Sequence, residues 1–157
     1  MKITTTVLSA VAAVGIAVSV ATAPTASAYS TVGKFGSYEK LYDAGGAVVT
    51  AWTVNNLKPS TDTIADYPLA GKLWEATATI KAVRGTVTPL IPNLNARADD
   101  GRNYQVLWEG FTPAGISGAT IAQGQRSTGK IYFDVTGEAP SRVMYNNGVQ
   151  DLLIWEK

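Results

Sequence analysis

The amino-acid sequence predicts an all-β fold in which two sheets pack face to face. Two observations support this prediction. Apolar and polar residues alternate from Leu73 to Val83, and no segment after residue 28 shows the apolar period of an amphipathic helix. A period of two sends successive side chains to opposite faces of a strand. About eight short strands separated by turn residues are typical of a β-sandwich.

The segment from Leu73 to Val83 is expected to be the central strand of one sheet. Its two faces differ in polarity: Trp74, Ala76, Ala78, Ile80 and Ala82 would face the interior, and Glu75, Thr77, Thr79 and Lys81 the solvent. One apolar and one polar face describe a strand that is half-buried in an antiparallel sheet. Because alanine is small, the second sheet is expected to approach this strand closely.

The other strand candidates are short and rich in β-branched or aromatic residues: Tyr38–Tyr42, Ala47–Val54, Asn93–Arg97, Tyr104–Trp108, Lys130–Val135, Val143–Tyr145 and Asp151–Trp155. Glycine and proline indicate connections over residues 55–68 and 110–124, and a bend at Arg84-Gly85. Hairpin turns are expected at Ala98–Gly101 and Asn146–Gly148, because Asp-Gly and Asn-Gly favour positive φ.

Residues 1–28 are expected to be a signal peptide, and residues 29–157 a single β-sandwich domain. The uncharged run from Val7 to Val20 has the length of a signal-peptide core. It is shorter than the ~20 apolar residues that a membrane anchor, the alternative interpretation, would need. Ala26-Ser27-Ala28 then predicts cleavage before Tyr29. The sequence therefore predicts a secreted, extracellular protein without a membrane anchor.

The charge balance and two missing residue types exclude several function classes. The chain has 13 Lys+Arg and 12 Asp+Glu, and Lys2 would leave with the signal peptide. This balance gives no electrostatic reason to expect a nucleic-acid or anionic-membrane partner. The sequence contains neither cysteine nor histidine, which excludes disulfides, thiol nucleophiles, Ser-His-Asp triads and the usual zinc ligands. No cofactor or metal is expected.

Three Trp-Glu pairs supply the candidates for carboxylate catalysis, Glu75, Glu109 and Glu156. Two outward glutamates on neighbouring strands could lie within the ~5–10 Å of a glycosidase carboxylate pair. Simple alternation, with tryptophan in the core and glutamate in solvent, is the favoured interpretation. Nothing in the sequence supplies the apolar pocket that would raise the pKa of one carboxyl. No catalytic residue is therefore predicted.

Two further motif matches are interpreted as ordinary turns. The segment Gly124–Lys130 (GQRSTGK) has the spacing of a phosphate-binding loop, but the Ser or Thr and the helix that should follow are missing. The segment Asp99–Asn103 resembles the start of a calcium loop, but it lacks the fifth-position ligand and the closing glutamate.

The candidates for binding are apolar residues in predicted connections. Leu90 and Ile91 lie between two prolines, and Phe111 lies in the loop after Gly110. Loops on a rigid scaffold often carry binding sites, and exposed apolar residues mark partner surfaces. The alternative is that these side chains fold back onto the core.

Five long stretches of the sequence resemble a known family. WEATATIKAVRGTVTP, NARADDGRNYQVLW, ISGATIAQGQ, STGKIYFDVTG and NNGVQDLLIWE are similar to the small secreted antigens of the mycobacterial MPT-sixty-three-like family. The similarity extends from about Gly33 to Trp155. It implies an immunoglobulin-like β-sandwich of two antiparallel sheets, in a secreted, immunogenic protein of an actinobacterium. The family has no established catalytic or ligand residues, so the resemblance assigns none here.

The sequence therefore favours a non-enzymatic secreted module that binds a host or envelope protein. Two alternatives stay open: a carboxylate-dependent hydrolase acting on glycans, and a structural envelope protein. An exposed apolar surface on the loops would favour the first function, and paired glutamates in a cleft would favour the hydrolase.

Overall fold

The computed structural model describes residues 29–108 and 112–157, and these form two packed sheets. The nine strands are β1 (Thr31–Lys34), β2 (Glu39–Tyr42), β3 (Val49–Pro59), β4 (Lys72–Arg84), β5 (Leu94–Ala98), β6 (Asn103–Gln105), β7 (Arg126–Val135), β8 (Pro140–Asn146) and β9 (Asp151–Glu156). One sheet has the strand order β1-β9-β8-β5-β6, and the other has the order β2-β3-β4-β7. The predicted β-sandwich is confirmed. The predicted signal peptide, residues 1–28, lies outside the described residues.

Strand β4 lies inside the four-stranded sheet, between β3 and β7. Ala78 is 0% exposed, and Ala76, Ile80 and Ala82 are also buried. These side chains face the second sheet, and Trp74 packs against the same core while remaining partly exposed. The predicted central strand and its register are confirmed.

Large side chains from both sheets fill the space between them. The largest include Trp52, Ile80, Leu94, Ile131, Phe133, Val143, Leu153 and Trp155. The rings of Trp52 on β3 and Tyr145 on β8 have centroids 5.7 Å apart, so an aromatic contact joins the two sheets. Since the chain has no cysteine, burial of apolar surface takes the place of cross-links in stabilising this domain.

Strand β3 is longer than the sequence predicts. Residues 55–68 were expected to form a connection, whereas β3 continues to Pro59. Its pairing with β4 is irregular between Asn55 and Lys58, and Asn56 has a positive φ of 55°. A bulge of this kind lets a strand resume pairing after an extra residue. The true connection therefore begins at Ser60.

The first strand was not predicted, and it makes the five-stranded sheet mixed. Strand β1 pairs in parallel with β9, with Thr31 opposite Leu153 and Lys34 opposite Glu156. The remaining strand pairs are antiparallel. The two sheets are thus antiparallel as expected, with the edge pair β1–β9 as the exception.

The hairpin between β8 and β9 follows from its turn residues. Gly148 has a φ of +92°, which residues with a Cβ rarely adopt. The side-chain oxygen of Asn146 accepts a hydrogen bond from the Gly148 amide at 2.7 Å, and that of Asn147 accepts one from the Val149 amide at 3.0 Å. The predicted hairpin is confirmed, as is the turn between β5 and β6.

The connection between β3 and β4 covers part of the outer face of the four-stranded sheet. Ile64 packs there against Leu73 and Tyr132, and all three side chains are buried. The last residues of the connection are hydrogen-bonded to β7: the amides of Ala70 and Gly71 donate to the carboxylate of Asp134 at 2.8 and 2.7 Å. The face that was predicted to be open to solvent is therefore covered at this end.

The chain leaves the five-stranded sheet after β6. Val106 forms an isolated bridge with Phe133 of β7, and the Leu107 amide donates to the Tyr132 carbonyl at 2.8 Å. Beyond residue 112, the Ile116 amide donates to the Lys130 carbonyl of the same strand at 2.9 Å. Both segments thus lie along the outer edge of β7. None of the described residues forms a helix with the length and apolar character needed to span a membrane.

Candidate functional site

The loops at one edge of the sandwich enclose a groove of about 560 Å³. We call this the apical groove, and it is lined by Pro89, Ile91, Pro92, Trp108, Thr112, Gly115, Ile116, Ser117 and Gly118. The two loops predicted to carry binding residues, around residues 89–92 and 112–113, thus converge on one concave surface. Apolar pockets of this kind are the usual sites for ligands and for anchor side chains of partners.

Trp108 is the largest side chain of the apical groove, and it is 55% exposed. The sequence predicted that this residue would face the core, and that prediction is wrong. Alternation from Tyr104 would carry Trp108 inward, but β6 ends at Gln105 and the chain then crosses to β7. The strand register no longer applies after the crossing, so the indole remains at the surface.

Leu90 and Ile91 lie on different sides of their loop. Ile91 begins a short 3-10 turn, packs partly against the core and lines the apical groove. Leu90 is 54% exposed and borders a separate depression of about 450 Å³ that reaches Trp52 and Tyr145 between the sheets. The third predicted residue, Phe111, lies outside the described residues. The structure therefore brings Ile91, but not Leu90, into the apical groove.

A close backbone approach fixes one wall of the apical groove. A Cβ atom added at Gly129 would lie 2.5 Å from both the Cα and the amide nitrogen of Ile116. Only glycine leaves room for this contact, because the atoms that would clash belong to the backbone. The Lys130 amide donates to the Ala114 carbonyl at 2.7 Å and holds the same segment against β7.

A polar network lies beside the apical groove, on the outer face of the four-stranded sheet. The ammonium group of Lys130 donates to Asp62 Oδ2 at 2.7 Å and to Glu75 Oε2 at 3.0 Å. The Ser60 hydroxyl donates to the same Glu75 oxygen at 2.5 Å, and the Tyr132 hydroxyl donates to Asp62 at 2.7 Å. These contacts connect the segment after β3 to both β4 and β7.

Glu75 is 6% exposed, so the prediction that it faces solvent is wrong. The cause is the second apolar cluster, which covers this end of the sheet. Lys58 also lies 3.7 Å from Glu75 Oε1. A carboxylate held by two cations and a hydroxyl group is fully paired, as a buried charge must be.

The pKa shifts in the network keep its groups charged. Burial alone would raise the pKa of Glu75, but hydrogen bonds from Ser60 and Lys130 outweigh burial and hold it below its ordinary value. Hydrogen bonds from Lys130 and Tyr132 lower the pKa of Asp62. The two carboxylates raise the pKa of Lys130, and burial raises the pKa of Tyr132. At neutral pH this is a stable arrangement of two carboxylates and one ammonium group.

The other candidate glutamates do not join this network. Glu156 is on β9 of the opposite sheet, where its carboxylate lies 3.9 Å from Arg142. Glu75 and Glu156 therefore lie on the outer faces of different sheets and cannot form a carboxylate pair. Glu109 lies outside the described residues.

The two motif matches have structural explanations. Residues from Arg126 onward in the GQRSTGK stretch form strand β7 rather than the predicted turn, and no helix follows. In the other match, Asp99 accepts bonds from Ser141 and Arg142, and Asp100 binds Arg102. Over residues 29–108 and 112–157, no group of three or more possible metal-ligating side chains occurs.

Two sequence signals could have indicated the covered outer face. Leu73 and Tyr132 are apolar residues on the largely polar outer faces of β4 and β7, and they lie at the same end of the sheet. A strand with apolar residues on both faces is covered on both. No comparable signal marks Trp108, whose exposure depends on where the chain changes sheets.

The fold and its surface define a β-sandwich protein whose apolar groove is formed by loops. Comparison with known proteins identifies the family of this chain. Residues 30–155 match the family described as a domain of unknown function, DUF1942, and the chain belongs to this family.

The family relationship extends over almost the whole chain. The chain is 54% identical over 158 residues, covering 99% of both proteins, to the immunogenic protein MPB63 of Mycobacterium bovis and to the immunogenic protein MPT63 of Mycobacterium tuberculosis. The crystal structure of MPT63, described as a secreted protein, is 57% identical and superimposes with a TM-score of 0.80, covering 83% of this chain and 100% of that one. The predicted family and the predicted secretion are confirmed, whereas cleavage before Tyr29 stays a prediction.

Proposed function

We propose that this protein is a secreted, non-enzymatic binding module whose apical groove takes an apolar side chain of a host or envelope protein. The observation that carries the proposal is the exposure of Trp108 within the apical groove, beside Ile91, Pro92 and Ile116. Tryptophan is among the residues that contribute most to protein–protein affinity, because binding removes the large apolar surface of its ring from water.

The rigidity of the apical groove supports this function. Its walls are fixed to the sandwich by the Gly129–Ile116 approach and by the packing of Ile91 against the core. A preformed groove loses little conformational entropy on binding, so a larger part of the contact free energy appears as affinity.

The polar network argues against the hydrolase alternative. A glycosidase needs one carboxylic acid with a raised pKa beside a second carboxylate. The pKa values of Glu75 and Asp62 are both lowered, and both carboxylates bind the same ammonium group. Neither group suits the role of general acid, and we interpret the network as structural.

The experiment is a binding screen followed by matched variants. The mature protein is passed over arrays of host proteins, envelope proteins and glycans, and each hit is measured again with Trp108→Ala. The control is Val149→Ala, because Val149 is 89% exposed but lies on the β8–β9 turn. We expect Trp108→Ala to weaken binding at least about tenfold and the control to leave it unchanged.

Three results would contradict the proposal. Equal binding by wild type and Trp108→Ala would exclude the apical groove. Cleavage of a glycan by the wild type that is abolished in a folded Glu75→Gln variant would establish the hydrolase instead. Retention of the protein in a purified envelope fraction, without release to the medium, would favour the structural alternative.

A further inference from the structure

Three cationic side chains lie in one straight row across the outer face of the four-stranded sheet. The pairing register places Lys40 of β2 opposite Ala51 of β3, Ala51 opposite Lys81 of β4, and Lys81 opposite Arg126 of β7. We call Lys40, Lys81 and Arg126 the cation row. Since neighbouring strands are ~4.8 Å apart, the row spans about 14 Å of the sheet.

None of these three side chains forms an ion pair or a hydrogen bond with the described residues. Among the other cations, Arg97 lies 2.8 Å from Asp151 and Arg142 lies 2.9 Å from Asp99, whereas Lys34, Lys72 and Lys157 form no ion pair with the described residues. The near-zero net charge of the chain thus conceals an uneven distribution. The cation row is distinguished by the alignment of three unpaired cations on one line across the sheet.

The arrangement has a cost in the free protein. Lys81 and Arg126 are directly opposite each other on adjacent strands, and like charges in this position destabilise a sheet. Packing explains the two lysines in part. Ala51, which lies between Lys40 and Lys81, is only 4% exposed, and the aliphatic stems of the lysines can cover it. Covering an alanine does not require a third cation, so Arg126 is left unexplained by packing.

The cation row borders an open depression of about 620 Å³ that suits an anionic sugar chain. Tyr38 and Val83 line the depression together with the three cations, and Tyr38 is 57% exposed. An aromatic ring beside the cations offers an apolar face to a sugar ring. The hydroxyl groups of Thr79 and Thr128, bonded to each other at 2.9 Å, form the next row of the same face.

We propose that the cation row binds a sulfated polysaccharide. Sulfate groups are fully ionised acceptors that Lys and Arg side chains bind with charge-assisted hydrogen bonds. The row crosses the strands on an open surface, where a polymer can lie along it. A peptide that lies along the row crosses the strands, so its backbone cannot pair with the edge strands β2 or β7 while its side chains contact all three cations. The protein is secreted, so its polyanionic partners are extracellular.

The test uses heparin as the sulfated probe, with the mature protein in isothermal titration calorimetry at several salt concentrations. The variant is Lys40→Gln/Lys81→Gln/Arg126→Gln. The matched control is Lys34→Gln/Lys72→Gln/Lys157→Gln, which removes the same charge from exposed lysines outside the row. We expect the wild type and the control to bind heparin, and the row variant to bind it roughly tenfold more weakly or worse. The affinity of the row variant should also depend less steeply on salt, by about one released counterion for each cation removed.

Further probes separate this proposal from other anions. Desulfated heparin should not bind, and polyglutamate and vesicles containing phosphatidylserine should bind more weakly than heparin. The proposal is overturned if wild type does not bind heparin, if both triple variants lose affinity equally, or if polyglutamate or the vesicles bind more tightly than heparin. Circular dichroism and urea melts of each variant establish that it is folded. The row variant should keep the binding assigned to the apical groove.

Discussion

The Lys130 ammonium group lies 3.0 Å from Glu75 Oε2 and 2.7 Å from Asp62 Oδ2. Glu75 belongs to β4, Lys130 to β7 and Asp62 to the connection after β3. One cation thus joins two strands of the sheet to the segment that covers it. The network and the buried Ile64 beside it hold this connection in place.

We expect Glu75→Gln to destabilise the domain by about 1–3 kcal/mol at neutral pH, because a charge-assisted hydrogen bond inside a covered surface is lost. Urea unfolding measures the difference. Glu138→Gln is the control, since this exposed residue lies on the turn before β8; it should change stability by no more than about 0.5 kcal/mol. Similar effects of both substitutions would show that the network contributes nothing.

The lowered pKa values predict a loss of stability in acid. The ordinary pKa values are 4.5 for Glu75 and 3.8 for Asp62, and both are lower in the folded protein. The unfolded state therefore binds more protons, and stability falls as the pH falls from about 5 through the lowered values. Unfolding curves from pH 7 to pH 3 should show wild type approaching Glu75→Gln as the pH decreases. A constant difference over this range would contradict the assignment.

We expect Ala78→Asp to destabilise the domain by about 3–5 kcal/mol, because it places an unpaired charge in the core. Ala78 is fully buried and faces the second sheet. Thr77→Asp changes the neighbouring residue on the outer face, opposite Lys130, and should be tolerated. Urea melts compare the two. A larger effect of Thr77→Asp would mean that the two faces of β4 are exchanged.

We expect Gly129→Ala to move the 114–118 segment away from β7 and to cost about 1–3 kcal/mol, because the new Cβ would meet the Ile116 backbone. Gly118→Ala is the matched control, since its Cβ would lie 3.6 Å from the Ile91 side chain in ordinary contact. The indole N–H signal of Trp108 in NMR spectra reports on the apical groove. It should shift with Gly129→Ala and change little with Gly118→Ala.

We expect export to include cleavage between Ala28 and Tyr29, because Ala26-Ser27-Ala28 follows a charge-free apolar core. Edman sequencing of the protein recovered from the culture medium should begin Tyr-Ser-Thr-Val. Recovery of the full-length chain from the membrane fraction would instead indicate an anchor.

The sequence predicts the structure correctly where the conformation depends on residues that are close together in the chain. Alternation from Leu73 to Val83 gave the correct register, because one face of β4 meets the second sheet along its length. Asn147-Gly148 gave the correct hairpin, because the positive φ of the turn falls on Gly148 and the Asn147 side chain accepts hydrogen bonds from the turn amides.

The errors arose where distant segments meet. Glu75 satisfies the polar position of an alternating strand, and its burial depends on a connection that folds back from Ser60 to Gly71. Trp108 satisfies an apolar position, and its exposure depends on the chain changing sheets after Gln105. Neither the covering of Glu75 nor the change of sheet before Trp108 is marked in the nearby sequence by a pattern as clear as the alternation in β4. Ile91 lies outside the sheets, because the prolines on both sides of residues 90–91 disfavour a strand there, and its part in binding stays a prediction.

The parallel pairing of β1 with β9 has a consequence for the order of folding. Strand β1 is hydrogen-bonded to β9 and to no other strand of the described chain, so its first pairing partner is also the last strand in the sequence. A polypeptide that emerges from the export machinery with its N-terminus first carries β1 unpaired until residues 151–156 have followed. Contacts at such large sequence separation form slowly. Closure of this edge is therefore expected to be a late step in the folding of the exported chain.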